Sequence, residues 1–150
     1  MRVALVACSK GKLPHAAPAR YLYQGNLFRL SRSWVLQRMS RGQLDAWAIL
    51  SAKHGLVMPD QMLEPYELAL SDLSRPERAA WASAVRDQLV ATFGRGARYS
   101  VLAGADYSGA VAGLPHVERV FERMGKARKA RGQRGAGIGA IMSELKASQD

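Results

Sequence analysis

The chain has 150 residues, the length of one domain, and 48% of them are apolar against 23% charged, so it can bury its own core and global disorder is argued against. One cysteine rules out an internal disulfide framework, one cysteine with three histidines rules out zinc fingers and ribbons, and no run approaches the roughly 18 apolar residues of a membrane span. Lys and Arg total 22 against 12 Asp and Glu, a net charge of +10, which points to nucleic acid or a nucleotide as partner before an anionic membrane.

In chain order, Arg2–Ala7 (RVALVA) is a short apolar run without alternation, the pattern of a strand buried on both faces. Only Val3 to Ala7 precede Cys8, fewer than the roughly 7–15 apolar residues of a secretory signal. The segment therefore reads as a strand, and the reducing cytoplasm as the compartment. Asn26 to about Met39 places Leu27, Leu30, Trp34, Val35 and Met39 mostly at helical spacings. Ala46–Leu50 (AWAIL) is a second buried strand. Met58–Tyr66 (MPDQMLEPY), rich in proline and acid, reads as a lid or ordered loop.

Ser74-Arg75-Pro76-Glu77 is a capping box with proline in the first turn. The helix it opens carries Trp81, Val85, Leu89 and Phe93 at steps of four and stops at Gly94. Tyr99–Ala103 (YSVLA) is a third buried strand, Tyr107–Val111 a short helix, Val117–Phe121 a fourth short strand and Ile138–Lys146 a final helix. Strands alternating with helices predict a single α/β domain over 1–150. Its expected form is a small three-layer sandwich with a mostly parallel sheet of three to five strands.

Charge is unevenly spread. The first 43 residues hold eight bases and no acid, and residues 45–94 hold seven acids against four bases. Arg123, Lys126, Arg128, Lys129, Arg131 and Arg134 then form an acid-free basic stretch studded with glycine. A basic glycine-containing loop at about 123–137 is expected, and its six cations are candidate nucleic-acid contacts.

Ligands of parallel α/β sheets bind outside the carboxyl ends of the strands. The first strand is followed by Cys8-Ser9-Lys10-Gly11-Lys12, the second by Ser51-Ala52-Lys53-His54-Gly55, and the third by Gly104-Ala105-Asp106-Tyr107. Small, polar or titratable residues at all three exits predict one site. Cys8, Ser9, Lys10, Lys12, Tyr23, Lys53, Gly104 and Tyr107 are its candidate substrate and phosphate contacts. His54, next to a cation that lowers its pKa, is the candidate proton shuttle, with Ser51 beside it. Asp60 or Glu64 is expected to orient a nucleophile or to pair with Lys10, Lys12 or Lys53. Cys8 is read as a small side chain closing a buried strand in preference to a nucleophile. No Walker loop, no Gly-x-Gly-x-x-Gly after the first strand and no metal-ligand spacing is present, so neither cofactor nor metal is expected.

These loops carry a resemblance. Cys8-Ser9-Lys10-x-Lys12, Leu22-Tyr23, Leu50-Ser51-Ala52-Lys53-His54-Gly55-Leu56, Pro59-Asp60 and Pro65-Tyr66, with the later Gly104-x-x-Tyr107 and Gly137-Ile138-Gly139, resemble a widespread prokaryotic domain family of unassigned function. Cys8 and Lys12 also match the Cys-x-x-x-Lys spacing of archaeosine synthases, tRNA-base-modifying proteins with a domain related to uracil-DNA glycosylases. There the motif continues Lys-Pro-Tyr, whereas here Leu13-Pro14 follows Lys12, and the glycosylase His-Pro-Ser loop is absent. The resemblance implies chemistry on a nucleobase. The expectation is an enzyme acting on a nucleobase or N-glycosidic bond, in nucleic acid or nucleotides. The alternatives are a non-catalytic nucleic-acid-binding module and a nucleotide sensor.

Overall fold

A computed structural model describes residues 1–135 and 137–149. Its elements are β1 (Arg2–Ala7), β2 (Ala17–Pro18), α1 (Ala19–Leu22), α2 (Asn26–Ser40), β3 (Ala46–Ser51), β4 (Gly55–Val57), β5 (Met62–Leu63), α3 (Arg75–Phe93), β6 (Arg98–Leu102), α4 (Ala105–Val111), β7 (Val117–Arg119), α5 (Val120–Ala130) and α6 (Ile138–Ala147). The main sheet has the order β4-β3-β1-β6-β7. Strands β3, β1, β6 and β7 run parallel, and β4 closes one edge as the antiparallel arm of a hairpin with β3. This is the small, mostly parallel α/β sandwich that the three apolar runs predict.

The central strand shows why those runs lack alternation. Val3 and Leu5 point into one core with Ala48, Leu50, Val101, Val85 and Leu89. Ala4 and Val6 point into the other with Trp47, Ile49, Phe28 and Val35. Both faces are covered, so every position is apolar. Burying each Leu or Val contributes roughly 1.5–3 kcal/mol before chain entropy is set against it. Helices α2, α5 and α6 supply one layer and α3 and α4 the other. Helix α3 opens on the expected capping box: Glu77 N donates to Ser74 Oγ (3.2 Å) and Ser74 N to Glu77 Oε1 (2.9 Å).

Three expectations need correction. The fourth strand ends at Arg119, and Val120-Phe121 already belong to α5. Residues 123–130 of the expected basic loop are helix, because Val120 and Met124 seat one face of α5 in the core. The stretch Met58–Tyr66 contains β5, which pairs with β2 and ties the lid segment down beside α1. Among the described residues no helix is long and apolar enough to cross a membrane.

The chain path fixes where a ligand fits. From β1 the chain passes along α2 on one face to β3, and from β6 it passes along α4 on the other face to β7. The connections leaving β1 and β6 therefore diverge. This leaves a crevice beyond their carboxyl ends, at the topological switch point.

Candidate functional site

All three strand-exit loops reach this edge. The loop after β1 is held by Cys8 N donating to Leu50 O (2.9 Å) and by Gln24 N donating to Gly11 O (2.8 Å). Ser9 Oγ donates to Gly11 O (2.9 Å) and accepts from Gly25 N (3.1 Å), which fastens the loop to the start of α2. A Cβ on Gly25 would stand 2.7 Å from Ser9 Cβ, so only glycine permits that approach.

Around the loop lies a polar cluster. Cys8 Sγ and the Tyr107 hydroxyl are 3.3 Å apart. The Tyr66 hydroxyl lies 2.6 Å from both Ser51 Oγ and the Tyr23 hydroxyl, and His54 N donates to Ser51 Oγ (3.1 Å). Lys12 Nζ donates to Lys10 O (3.1 Å) and sits over the Tyr66 ring, 4.3 Å from its centroid. Lys53 Nζ lies 5.6 Å from the same ring. The His54 ring meets Tyr66 edge-on at 5.3 Å. From α3, Trp81 Nε1 donates to Ser51 O (2.9 Å) and the indole packs edge-on against Tyr107 at 5.6 Å.

Electrostatics follow from partial burial. Desolvation pushes the Lys12 ammonium below the usual lysine value, against the charges of Cys8 and Glu67. Burial pushes the phenols of Tyr23, Tyr66 and Tyr107 upward, so they remain protonated donors at neutral pH. His54 is lowered, first by desolvation and then by Lys53, which keeps its ring neutral.

On the other side of Cys8 opens the crevice itself, about 400 Å³, lined by Cys8 and Ser9 from β1's exit, Gly104 from β6's exit, Gly25 and Asn26 at the start of α2, and Phe28. Cys8 is half-buried and faces both regions: it lines the crevice and touches the cluster through Tyr107. The edge is thus an apolar slot beside a bank of proton donors, joined at a thiol.

The expected residues divide accordingly. Cys8, Ser9, Lys12, Ser51, Lys53, His54 and Tyr107 gather at the edge, and Gly104 lines the slot. Tyr23 belongs to the cluster but is wholly buried, so it orders Tyr66 and has no free face for a base. Ser51 is likewise buried with its hydroxyl engaged, a post that supports Tyr66 and the His54 turn. Lys10 is exposed, and its carbonyl anchors Lys12. Asp60 forms a surface ion pair with Arg20 (2.8 Å), and Glu64 is exposed; neither has a described contact with the cluster. The carboxylate near Lys12 is Glu67 instead.

Four of the six cations of the basic stretch are ion-paired. Arg123 pairs with Glu118 (3.0 Å), Lys126 with Glu122 (3.5 Å), and Arg128 and Arg131 both pair with Glu144 (3.3 and 2.8 Å). Lys129 and Arg134 have no ion pair among the described residues.

Residue reading missed the part played by Tyr66, Trp81 and Glu67. In the sequence Tyr66 is only the end of the Met58–Tyr66 segment and of a Pro-Tyr pair, and nothing local shows that an indole 30 residues from Ser51 caps its carbonyl. Among the described residues no group of three or more His, Cys, Asp or Glu is placed to hold a metal.

No curated protein and no solved structure matches this chain. A family model does match, over residues 3–135, and by that match the chain belongs to DUF6884, a family of unknown function.

Proposed function

We propose that the protein is a nucleobase-processing enzyme, acting on a nucleotide or on a base in nucleic acid, with Cys8 as its nucleophile. One observation carries this reading: the single cysteine lines a crevice at the topological switch point and stands 3.3 Å from a protonated phenol. Cys8 packs against the core on one side, but it is only half-buried, and it meets the slot and the Tyr107 hydroxyl on the other.

The arrangement suits covalent addition. The thiolate attacks an electrophilic carbon of the base, and the Sγ–C bond forms. The π electron pair passes to the adjoining nitrogen, which takes a proton from Tyr107 or the Lys12 ammonium. Water then forms a C–O bond as the C–S bond breaks, and its proton returns to the donor. The net change is addition of water at that carbon. Lysine with a lowered pKa and a phenol suit this proton traffic. Glycosidic hydrolysis by carboxylate-activated water is less well supported, because Asp60 and Glu64 have no described contact with the cluster. His54, Lys10 and Lys53 are exposed on the cluster side of Cys8, outside the lining of the crevice.

The test is mass-spectrometric profiling of nucleosides after incubating the protein with nucleotide pools and oligonucleotides. A base altered in mass by wild type and not by Cys8→Ala supports the reading. No altered base in any pool, or the same product from Cys8→Ala, contradicts it.

A further inference from the structure

Among the described residues five buried side-chain polar atoms lack a hydrogen-bond partner, and of these only Ser31 Oγ belongs to a residue lining the crevice. Ser31, in the second turn of α2, is fully buried, its Oγ has no hydrogen-bond partner, and it lines the crevice beside Cys8. A buried hydroxyl without a partner is costly, and it is kept where something supplies the partner. The mouth of the same crevice is the N-terminus of the 15-residue α2. Gly25 N is taken by Ser9 Oγ, but the amides of Asn26, Leu27 and Phe28 have no described acceptor. The first turn holds no acid, and Arg29 lies at its end. Between mouth and floor the walls are apolar: Phe28, Leu102, Phe121 and Met142, with Ile138 64% exposed at the rim. An adjoining hollow of about 470 Å³ shares Leu27, Ala103, Gly104, Phe121 and Ile138 with the crevice, so there is room for a ligand of nucleotide size.

We propose that this crevice is a binding site for a heteroaromatic base bearing a phosphate, with the phosphate on the α2 amides, the ring between Phe28, Phe121 and Ile138, and a polar edge of the ring against Ser31 Oγ. This rests on the reading that Cys8 works on a base, and it specifies how that base is gripped. The helix N-terminus favours an anion through its exposed N–H groups and dipole. The apolar walls give a flat ring its dry surface. The Ser31 hydroxyl, able to donate or accept, reads the edge. The phosphate belongs either to a free nucleoside monophosphate or to a nucleic-acid strand, since the chemistry at the amides is shared.

Calorimetric titration of Cys8→Ala separates binding from turnover. The probes are nucleoside 5′-monophosphates, the matching nucleosides, inorganic phosphate and a 5′-phosphorylated dinucleotide. At least one monophosphate is expected to bind about tenfold tighter than its nucleoside or than inorganic phosphate. Adding Ser31→Ala should weaken monophosphate and nucleoside alike, by about tenfold, while the melting temperature of the free protein stays the same or rises. Adding Asn26→Pro removes one amide at the first helical position, where proline is well tolerated and Gly25 is already extended (φ −61°, ψ 145°). It should weaken phosphorylated ligands several-fold and leave nucleosides unchanged. A dinucleotide binding tighter than every monophosphate identifies the strand as the source. Absence of binding by any base-containing probe at millimolar concentration, or affinities that neither Ser31→Ala nor Asn26→Pro changes in the folded protein, would overturn the site. Binding as described with no altered base from wild type would leave the grip standing and remove the catalytic reading alone.

Discussion

Two regions of this chain advertise themselves in the sequence, and folding treats them in opposite ways. The exits of β1, β3 and β6 are scattered over a hundred residues, yet they fold into one cluster around Cys8 and Tyr107. The contiguous basic stretch 123–134 looks like the stronger signal. In the fold, four of its six cations are paired with Glu118, Glu122 and Glu144, two of which lie before the stretch and one after it. Charge counted along a window says nothing about the acids that will face it. Position at the carboxyl ends of parallel strands survives folding, because topology places those ends together.

The largest effect that distinguishes the regions is on turnover. Cys8→Ala is expected to lower activity by roughly 10³-fold or more, since no other thiol exists to replace it. Lys129→Glu with Arg134→Glu should change turnover of a mononucleotide less than twofold. Steady-state rates of the two variants on one substrate check this, and equal losses would erase the contrast. Next comes Tyr107→Phe, which removes the hydroxyl beside Cys8. A loss of about 10²-fold, the scale of a general acid, is expected with little change in melting temperature.

Tyr66→Phe should act the other way. Its hydroxyl is buried between Ser51 and Tyr23, and both partners lose a hydrogen bond when it goes. A stability loss of about 1–3 kcal/mol is expected. Thermal unfolding reads this directly, at roughly 2–4 °C per kcal/mol for a chain of this size.

The smallest effect lies in the basic region. Glu144→Gln should cost about 1 kcal/mol, since Glu144 and Arg128 are only 19% and 16% exposed and Arg131 reaches both carboxylate oxygens. Hydrogen bonding to Arg131, first among several causes, holds the Glu144 carboxyl below its ordinary value. Its contribution is therefore present above the unfolded carboxylate pKa near 4.3 and is lost as pH falls through the lower folded value. Glu144→Gln should flatten the acid limb of a stability–pH curve in that window, and an unchanged limb would place the pairing in solvent.

Much of the fold was legible because burial on two faces writes itself as apolar runs, and because Ser74, Glu77 and Gly94 punctuate α3. The short strands β2, β4 and β5 were not. β4 is three residues long and exists as a hairpin with β3, where Gly55 takes a positive φ (+71°) that side chains resist. Helix α5 was hidden because only Val120, Met124 and Gly125 of its eleven residues are buried, too few to outweigh its cations in a pattern. At the site, the loops were visible and the props were not. Tyr66 reaches Ser51 through a tertiary path, and Ser31 resembles any tolerated serine in a helix until its neighbours are known. The surroundings of Cys8 were hidden for the same reason: the sequence places a thiol after a buried strand, and only the fold shows the crevice and the phenol beside it.

The most direct measurement uses the fact that Cys8 is the sole cysteine, so every alkylation event reads this one position. Intact-mass spectrometry would follow modification by iodoacetamide at pH 8, with and without a nucleoside 5′-monophosphate. If the crevice at Cys8 is where a base is bound and processed, one adduct forms, its formation slows several-fold in the presence of nucleotide, and activity disappears in step with it. A thiol modified equally fast with and without every nucleotide, in a protein that keeps its activity once alkylated, would contradict that placement.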